Sequence, residues 1–428
     1  MLNIKQLISE LCPKGVECEP LGELCSIITK QTGFDYSNHI KNSLLSDKKE
    51  DTLPYIQTKF FTGKNFTYDT DYFIPLNVAD RFPKILLDCK CLLFSIVGAS
   101  IGNIGLFPGT VKAFCGGAIC VAKPLQEYNI EYLYYYLSSS HGQKQIFNKV
   151  KGSGQATITI EDIRKFEIPV PPLPIQEEIV RTLDKLTEKT DELTSELNAE
   201  LDKRKKQYEY FQNQLFAKSE DMQYVDVPLG DVIVSLKTGL NPRKNFKLNT
   251  PDSCCPYITG KDIFNNKVNV TTKTDEITMD AVSLINKRAC IETDDLLFAS
   301  TGTGTVGRMA IVEDYKGDWS ISESIYTIKV NKDVVLPKFL MYLLYTENVI
   351  SQYKTKITKA SVPHLKVADL LKVKISIPSI QEQKRIIKAA ETFTATQDLL
   401  ISNLMHEIEN RKKQYEYYRD KLLTFNCI

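Results

Sequence analysis

The chain is one long module written twice, and this repeat limits its possible folds more than any other feature. RKKQYEY stands at 204–210 and returns at 411–417. Upstream of the two copies, IPVPPLPIQEEI (168–179) pairs with ISIPSIQEQKRI (375–386), and EYLYYYL (131–137) with KFLMYLL (338–344). Further back, CLLFSIVGASIGNIG (91–105) pairs with DLLFASTGTGTVGR (295–308), PYIQTKFF (54–61) with PYITGKDIF (256–264), and PLGEL (20–24) with PLGDV (228–232). The order is the same in both halves. The spacing of about 205 residues far exceeds the ~20–50 residues of solenoid repeats, so each copy is domain-sized.

Each copy has two parts. The first is mixed, with short β-branched and aromatic runs broken by Gly, Asn and Pro, which read as strands and turns, and with helical stretches between them. The second is a single long helix. Ile175 to Phe216 contains no Gly or Pro, and its apolar residues Ile179, Leu183, Leu186, Leu193, Leu197, Leu201, Tyr208, Phe211 and Leu215 follow a mostly three-and-four spacing. A narrow stripe on a helix of roughly 63 Å points to a coiled coil. The second domain starts where the first helix ends. The second helix either runs back along the first or points away, and burial of the two stripes against each other favours the former. The expected fold is α+β: two mixed α/β domains (1–167 and 219–375) joined by two long antiparallel coiled-coil helices (168–218 and 376–428), with a pseudo-two-fold internal repeat. In TDEL-TSEL-NAEL (190–201), Leu193, Leu197 and Leu201 step by four, as do Leu400, Leu404 and Ile408. Consecutive steps of four predict a stutter in the coil.

Composition narrows the function classes. The N-terminus lacks an apolar run of signal-peptide length, and no run is long enough to span a bilayer. The eleven cysteines form no CxxC pair, so the expectation is a cytoplasmic protein without disulfides, metal sites or membrane association. A net charge of +1 argues against holding nucleic acid unaided, because phosphate neutralisation dominates such affinity.

No catalytic constellation stands out. Gly302 to Met309 resembles a phosphate-binding loop, but Arg308 replaces its lysine and Met309 offers no hydroxyl to a metal, so a turn between strands is the better reading. The four histidines lie at no ligand spacing. A non-catalytic recognition protein is expected, with no catalytic and no metal-binding residues. Two heads on a pseudo-two-fold frame suit duplex DNA. A coiled-coil scaffold that binds proteins without DNA specificity is the alternative from another class.

The paired mixed domains, the opening ISELCPKGVECEPLGEL, the IPxPPLPIQEEI-type start of each long helix and the RKKQYEY close together resemble the specificity subunit of type I restriction–modification enzymes over essentially the whole chain. The resemblance implies two target recognition domains, each reading one half of a bipartite double-stranded DNA sequence. The helices would act as spacer and as docking surface for two methyltransferase subunits, joined by restriction subunits. S-adenosylmethionine, ATP and magnesium would belong to those partners, and none would be bound by this chain. A silent or spare chain that exchanges domains is a variant of this reading.

Base edges favour Arg, Lys, Asn and Gln, with Ser and Thr assisting. In the loops that differ between copies, the DNA-binding candidates are Lys59, Lys64, Asn65, Ser100, Asn103, Lys151 and Gln155 in the first domain. In the second they are Lys261, Lys267, Thr303, Arg308, Lys359 and His364. On the helices, Tyr208 and Tyr415 fall on the stripe, whereas Tyr210 and Tyr417 point away and are the partner-docking candidates.

Overall fold

The strand Cys91–Ser95 shows how the mixed part is built. Its sequence, CLLFS, is apolar on both faces, and every residue is buried. Side chains alternate across a strand. Leu92 and Phe94 join a core shared with the helix Ile130–Ser138 and with Ile175, Ile179 and Leu183. Cys91 and Leu93 face a separate core with Tyr55, Phe107 and Phe114. The strand is thus sandwiched between helices and a second sheet. In the other copy, Leu296 and Phe298 belong to the helix-side core and Leu297 to the sheet-side core.

The computed structural model describes residues 2–62, 64–68, 70–152 and 156–428. They form two units, Met1–Leu197 with His406–Ile428, and Asn198–Met405. The first unit has an antiparallel sheet in the order Cys25–Lys30, Ile119–Pro124, Cys91–Ser95, Ile104–Phe107. The second repeats this order with Ile233–Thr238, Ile325–Val330, Leu296–Ala299 and Met309–Ile311. The other sheet of each unit contains one parallel pair, Thr52–Ile56 with Ala113–Cys115 and Cys255–Ile258 with Ser320–Ile321.

The long helices run Leu173–Leu215 and Ile380–Leu422. Each is anchored at its start by a buried glutamine. Gln176 accepts from Asn129 N–H (3.1 Å) and donates to Pro171 O (2.8 Å). Gln383 accepts from Leu336 N–H (2.8 Å) and donates to Pro378 O (2.9 Å). Near the middle of each module, Gln145 brackets the backbone of Glu167, and Gln352 that of Lys374. Asp420 accepts from Ser140 N–H, and Asn213 from Glu347 N–H. Equivalent residues in all these pairs lie 207 positions apart, as 176 is to 383 and 213 to 420.

In each unit the start of one long helix packs against the end of the other, so the pairing is antiparallel. Thr187 Oγ1 donates to Tyr415 Oη at 3.1 Å in the first unit. Tyr208 Oη meets Thr394 Oγ1 at 3.2 Å in the second. These contacts are equivalent under the same repeat. Tyr208 and Phe211 also stack on Phe393, with ring centroids 5.8 and 3.8 Å apart.

The stutter does not occur. The buried and half-buried positions Gln176, Val180, Leu183, Thr187, Thr190, Thr194, Leu197, Leu201, Arg204, Tyr208, Phe211 and Leu215 alternate steps of four and three without a break. The second helix does the same through Ala390, Thr394, Gln397, Ile401, Leu404, Ile408, Arg411 and Tyr415. Leu193 and Leu400 stand off the seam, 41% and 37% exposed. The reason is geometric: four residues overshoot a helical turn by about 40°, so a run of steps of four drifts off any one face. Threonines hold the seam where leucine has drifted away.

The expectation of a disulfide-free chain also fails. Val16 bridges Cys427, which brings Cys18 and Cys427 to a Cα separation of 5.8 Å, and the two sulfurs are bonded. Buried Cys91 and Cys115 are packing residues; burial pushes both thiols up, which makes them unreactive. Among the described residues, no helix is long and apolar enough to cross a membrane.

Candidate nucleic-acid interface

In each unit the loop that follows the central strand is cross-linked to the segment before a short helix. In the first unit, Val97 bridges Thr157, Gly98 N–H donates to Ala156 O (3.0 Å), and Lys151 and Thr157 exchange backbone hydrogen bonds of 2.9 Å. In the second, Thr301 bridges His364 and Gly302 N–H donates to Pro363 O (3.0 Å). Glycines allow both crossings: Gly98 and Gly302 have φ of +82° and +128°, where a side chain would be strained. The backbone frame is therefore common to both units, while the side chains it presents differ.

Several candidates meet on these paired loops. In the first unit, Asn103 is exposed, Ser100 is turned inward with its hydroxyl 2.8 Å from that of Ser95, and Lys151 is exposed with Asp162 at 3.5 Å. The Thr159 hydroxyl, followed by Lys151, holds the Asp162 carboxyl below its ordinary range. In the second unit, Thr303 and Lys359 are exposed. His364 is half-buried; its Nδ1 lies 2.7 Å from Thr301 Oγ1, and its N–H donates to Thr358 Oγ1.

Other candidates lie elsewhere and are already engaged. Lys59 pairs with Asp71 and sits over the Phe60 ring. Lys64 pairs with Asp184 of the first long helix and sits 4.3 Å over the Tyr135 ring, so it braces the domain against that helix. Lys261 pairs with Asp275 at 3.0 Å, and Lys267 with Glu313 at 3.4 Å. Arg308 is half-buried and donates to Ile263 O at 3.4 Å. Exposed ion pairs are worth only ~0–1 kcal/mol, so a phosphate can displace them. Gln155 and the side chain of Asn65 lie outside the described residues.

The loop Gly302–Gly307 joins strand Leu296–Ala299 to strand Met309–Ile311 and leads into no helix. It therefore lacks the helix N-terminus on which a phosphate loop depends. Among the described residues, no three His, Cys, Asp or Glu side chains cluster to hold a metal. On the helices, Tyr210 and Tyr417 are 67% and 60% exposed, in contrast to Tyr208 and Tyr415 at the seam.

Residue-type reasoning missed a cavity of about 800 Å³ in the first unit, lined by Lys30, Gln31, Tyr36, Lys41, Tyr55 and Gly117, among others. Its one sequence signal is that CGGA (115–118) stands where the other copy has ISES (321–324).

Fold and loops together define a duplicated recognition scaffold, with two framework copies carrying different paired loops. Residues 13–203 and 221–410 match the type I restriction modification DNA specificity domain, and the chain belongs to that family. It is 28% identical over 353 residues to a putative type I restriction enzyme specificity subunit of Haemophilus influenzae, covering 77% of this chain and 80% of the relative. It is 29% identical over 274 residues to the EcoR124I/EcoR124II specificity subunit of Escherichia coli, covering 61% and 63%. A chain in a solved structure of the type I R-M system shares the fold with a TM-score of 0.70 at 18% identity, over 96% of this chain and 98% of that one.

Proposed function

We propose that this chain is the DNA-reading specificity subunit of a type I restriction–modification complex in the cytoplasm. Residues 1–167 and 219–375 each read one half of a bipartite duplex target. The helical segments 168–218 and 376–428 set the spacing and dock two methyltransferase subunits through a surface that includes Tyr210 and Tyr417; restriction subunits complete the assembly. The partners carry S-adenosylmethionine, ATP and magnesium, and this chain contributes recognition alone.

One observation carries the reading. From Asn129 onward the framework contacts repeat at a constant offset of 207 residues, whereas the paired loops above them differ in sequence. A constant frame with two divergent loop sets suits two unlike half-sites. Binding of duplex DNA by the chain with and without its methyltransferase partner, measured over a salt series, tests this. Specific binding only in the complex, falling steeply with salt, is expected. Tight specific binding by the chain alone, or no duplex preference in the complex, contradicts it.

A further inference from the structure

One tyrosine stands at the same place in both copies, and beside each lies a side-chain acceptor of different chemistry. In the first unit, Tyr55 Oη donates to Gln31 Oε1 at 3.1 Å. In the second, Tyr257 Oη donates to Leu240 O at 2.7 Å and lies 3.2 Å from Glu323 Oε2, and Asn241 Nδ2 donates to Glu323 Oε1 at 2.7 Å. Strand register fixes the equivalence. Tyr55 pairs with Phe114, and Tyr257 with Ser320, so Gly117 and Glu323 each stand three residues past the partner. Lys30 pairs with Cys120 and Thr238 with Tyr326, which makes Gly239 the counterpart of Gln31.

The two units therefore place an acceptor beside this tyrosine from opposite sides. Where the second unit has the Glu323 side chain, the first has bare Gly117, and a Cβ there would stand 3.0 Å from Gln31 Oε1. Gly117 thus opens the cavity onto the amide. Gln31 is only 4% exposed, and its Nε2 has no hydrogen-bond partner. Burial of an unpartnered amide nitrogen is costly unless something completes it. At the rim, Lys30 and Lys41 are exposed and form no ion pair among the described residues, unlike Lys59, Lys64, Lys151, Lys261 and Lys267. Two free cations beside a recessed acceptor suit a backbone phosphate next to a base.

Resting on the DNA-reading function above, we infer that the acceptors beside this tyrosine, Gln31 in the first unit and Glu323 in the second, are specificity-determining. Each accepts a hydrogen bond from the exocyclic amino group of adenine or cytosine in its own half-site. Guanine and thymine present carbonyl oxygens in that region of the major groove and are rejected. The neutral amide of Gln31 also offers a donor, which favours adenine. The carboxylate of Glu323 only accepts, which favours cytosine.

The test uses the assembled complex with its methyltransferase partner and a duplex library, with methylated sequences read out base by base. For the unsubstituted complex, each half-site should contain one position where an amino-bearing base is preferred roughly ten- to hundredfold. Gln31→Leu should flatten that preference in one half-site only, and Glu323→Leu in the other. The near-isosteric Gln31→Glu, which keeps the acceptor, should move the preference from adenine toward cytosine. Variants that keep the original base profile, or lose methylation evenly at every site, overturn the inference while leaving the wider function standing. An unsubstituted complex that reads no two-part sequence overturns both.

Discussion

Phe393 lies beside the seam, one heptad before Leu400, so the two residues check where that face of the helix pair stops being buried. In the second unit the Phe393 ring stacks on Phe211, with centroids 3.8 Å apart, and lies nearly parallel to Tyr208 at 5.8 Å. Truncation of a fully buried Phe to Ala costs ~3–5 kcal/mol. Phe393 is half-buried, which lowers the burial part, but two aromatic contacts worth ~0.5–1.5 kcal/mol each are lost as well. Phe393→Ala should therefore cost about 2–3 kcal/mol. Leu400, 37% exposed and off the seam, should cost less than about 1 kcal/mol on the same change, although a stutter would make it a seam residue. For a unit of this size, ~2–4 °C of Tm accompany each kcal/mol. Scanning calorimetry should show Phe393→Ala lowering the transition by about 4–12 °C and Leu400→Ala by no more than a few degrees. A loss from Leu400→Ala as large as that from Phe393→Ala would put Leu400 in the seam and refute the unbroken alternation.

Gln176→Ala should cost about 2–4 kcal/mol, because it removes two hydrogen bonds and strands buried backbone groups, and Gln383→Ala at least as much, because it removes three; urea unfolding of both variants checks this. Asp162 has a depressed carboxyl, owing first to the Thr159 hydroxyl and then to Lys151. Its contribution to stability is complete above the ordinary carboxylate value near ~4 and is lost as pH falls through the lower folded value. Thr159→Val should move the Asp162 titration, followed by NMR, upward toward that ordinary value. Tyr210→Ala and Tyr417→Ala should leave the unfolding transition within about 0.5 kcal/mol while weakening assembly with the methyltransferase subunit, measured by titration calorimetry.

The duplication, the α+β class and the antiparallel helix pair were all legible, because periodicity and sequence self-similarity are local signals. The phase of the coil was not. Leucines draw the eye to Leu193 and Leu400, but the seam follows an average of 3.5 residues per turn and recruits Thr187, Thr190 and Thr194. The bond between Cys18 and Cys427 could not be read because its partners lie 409 residues apart. The recognition loops were legible as a place but not as side chains. Choosing by residue type favours lysines, and only the fold shows that Lys59, Lys64, Lys261 and Lys267 are already matched to carboxylates. The Gln31 cavity needs three segments, around residues 31, 55 and 117, and its chemistry emerges only when both copies are superposed strand by strand.

The central claim is that the two mixed domains read separate halves of one DNA target on a shared frame. Exchange of residues 1–167 for the matching domain of a relative with a different target, followed by sequencing of the methylated sites of the assembled complex, tests it most directly. The account predicts one new half-site, one unchanged half-site and an unchanged gap between them. Alteration of both halves, or retention of the original sequence, would contradict it.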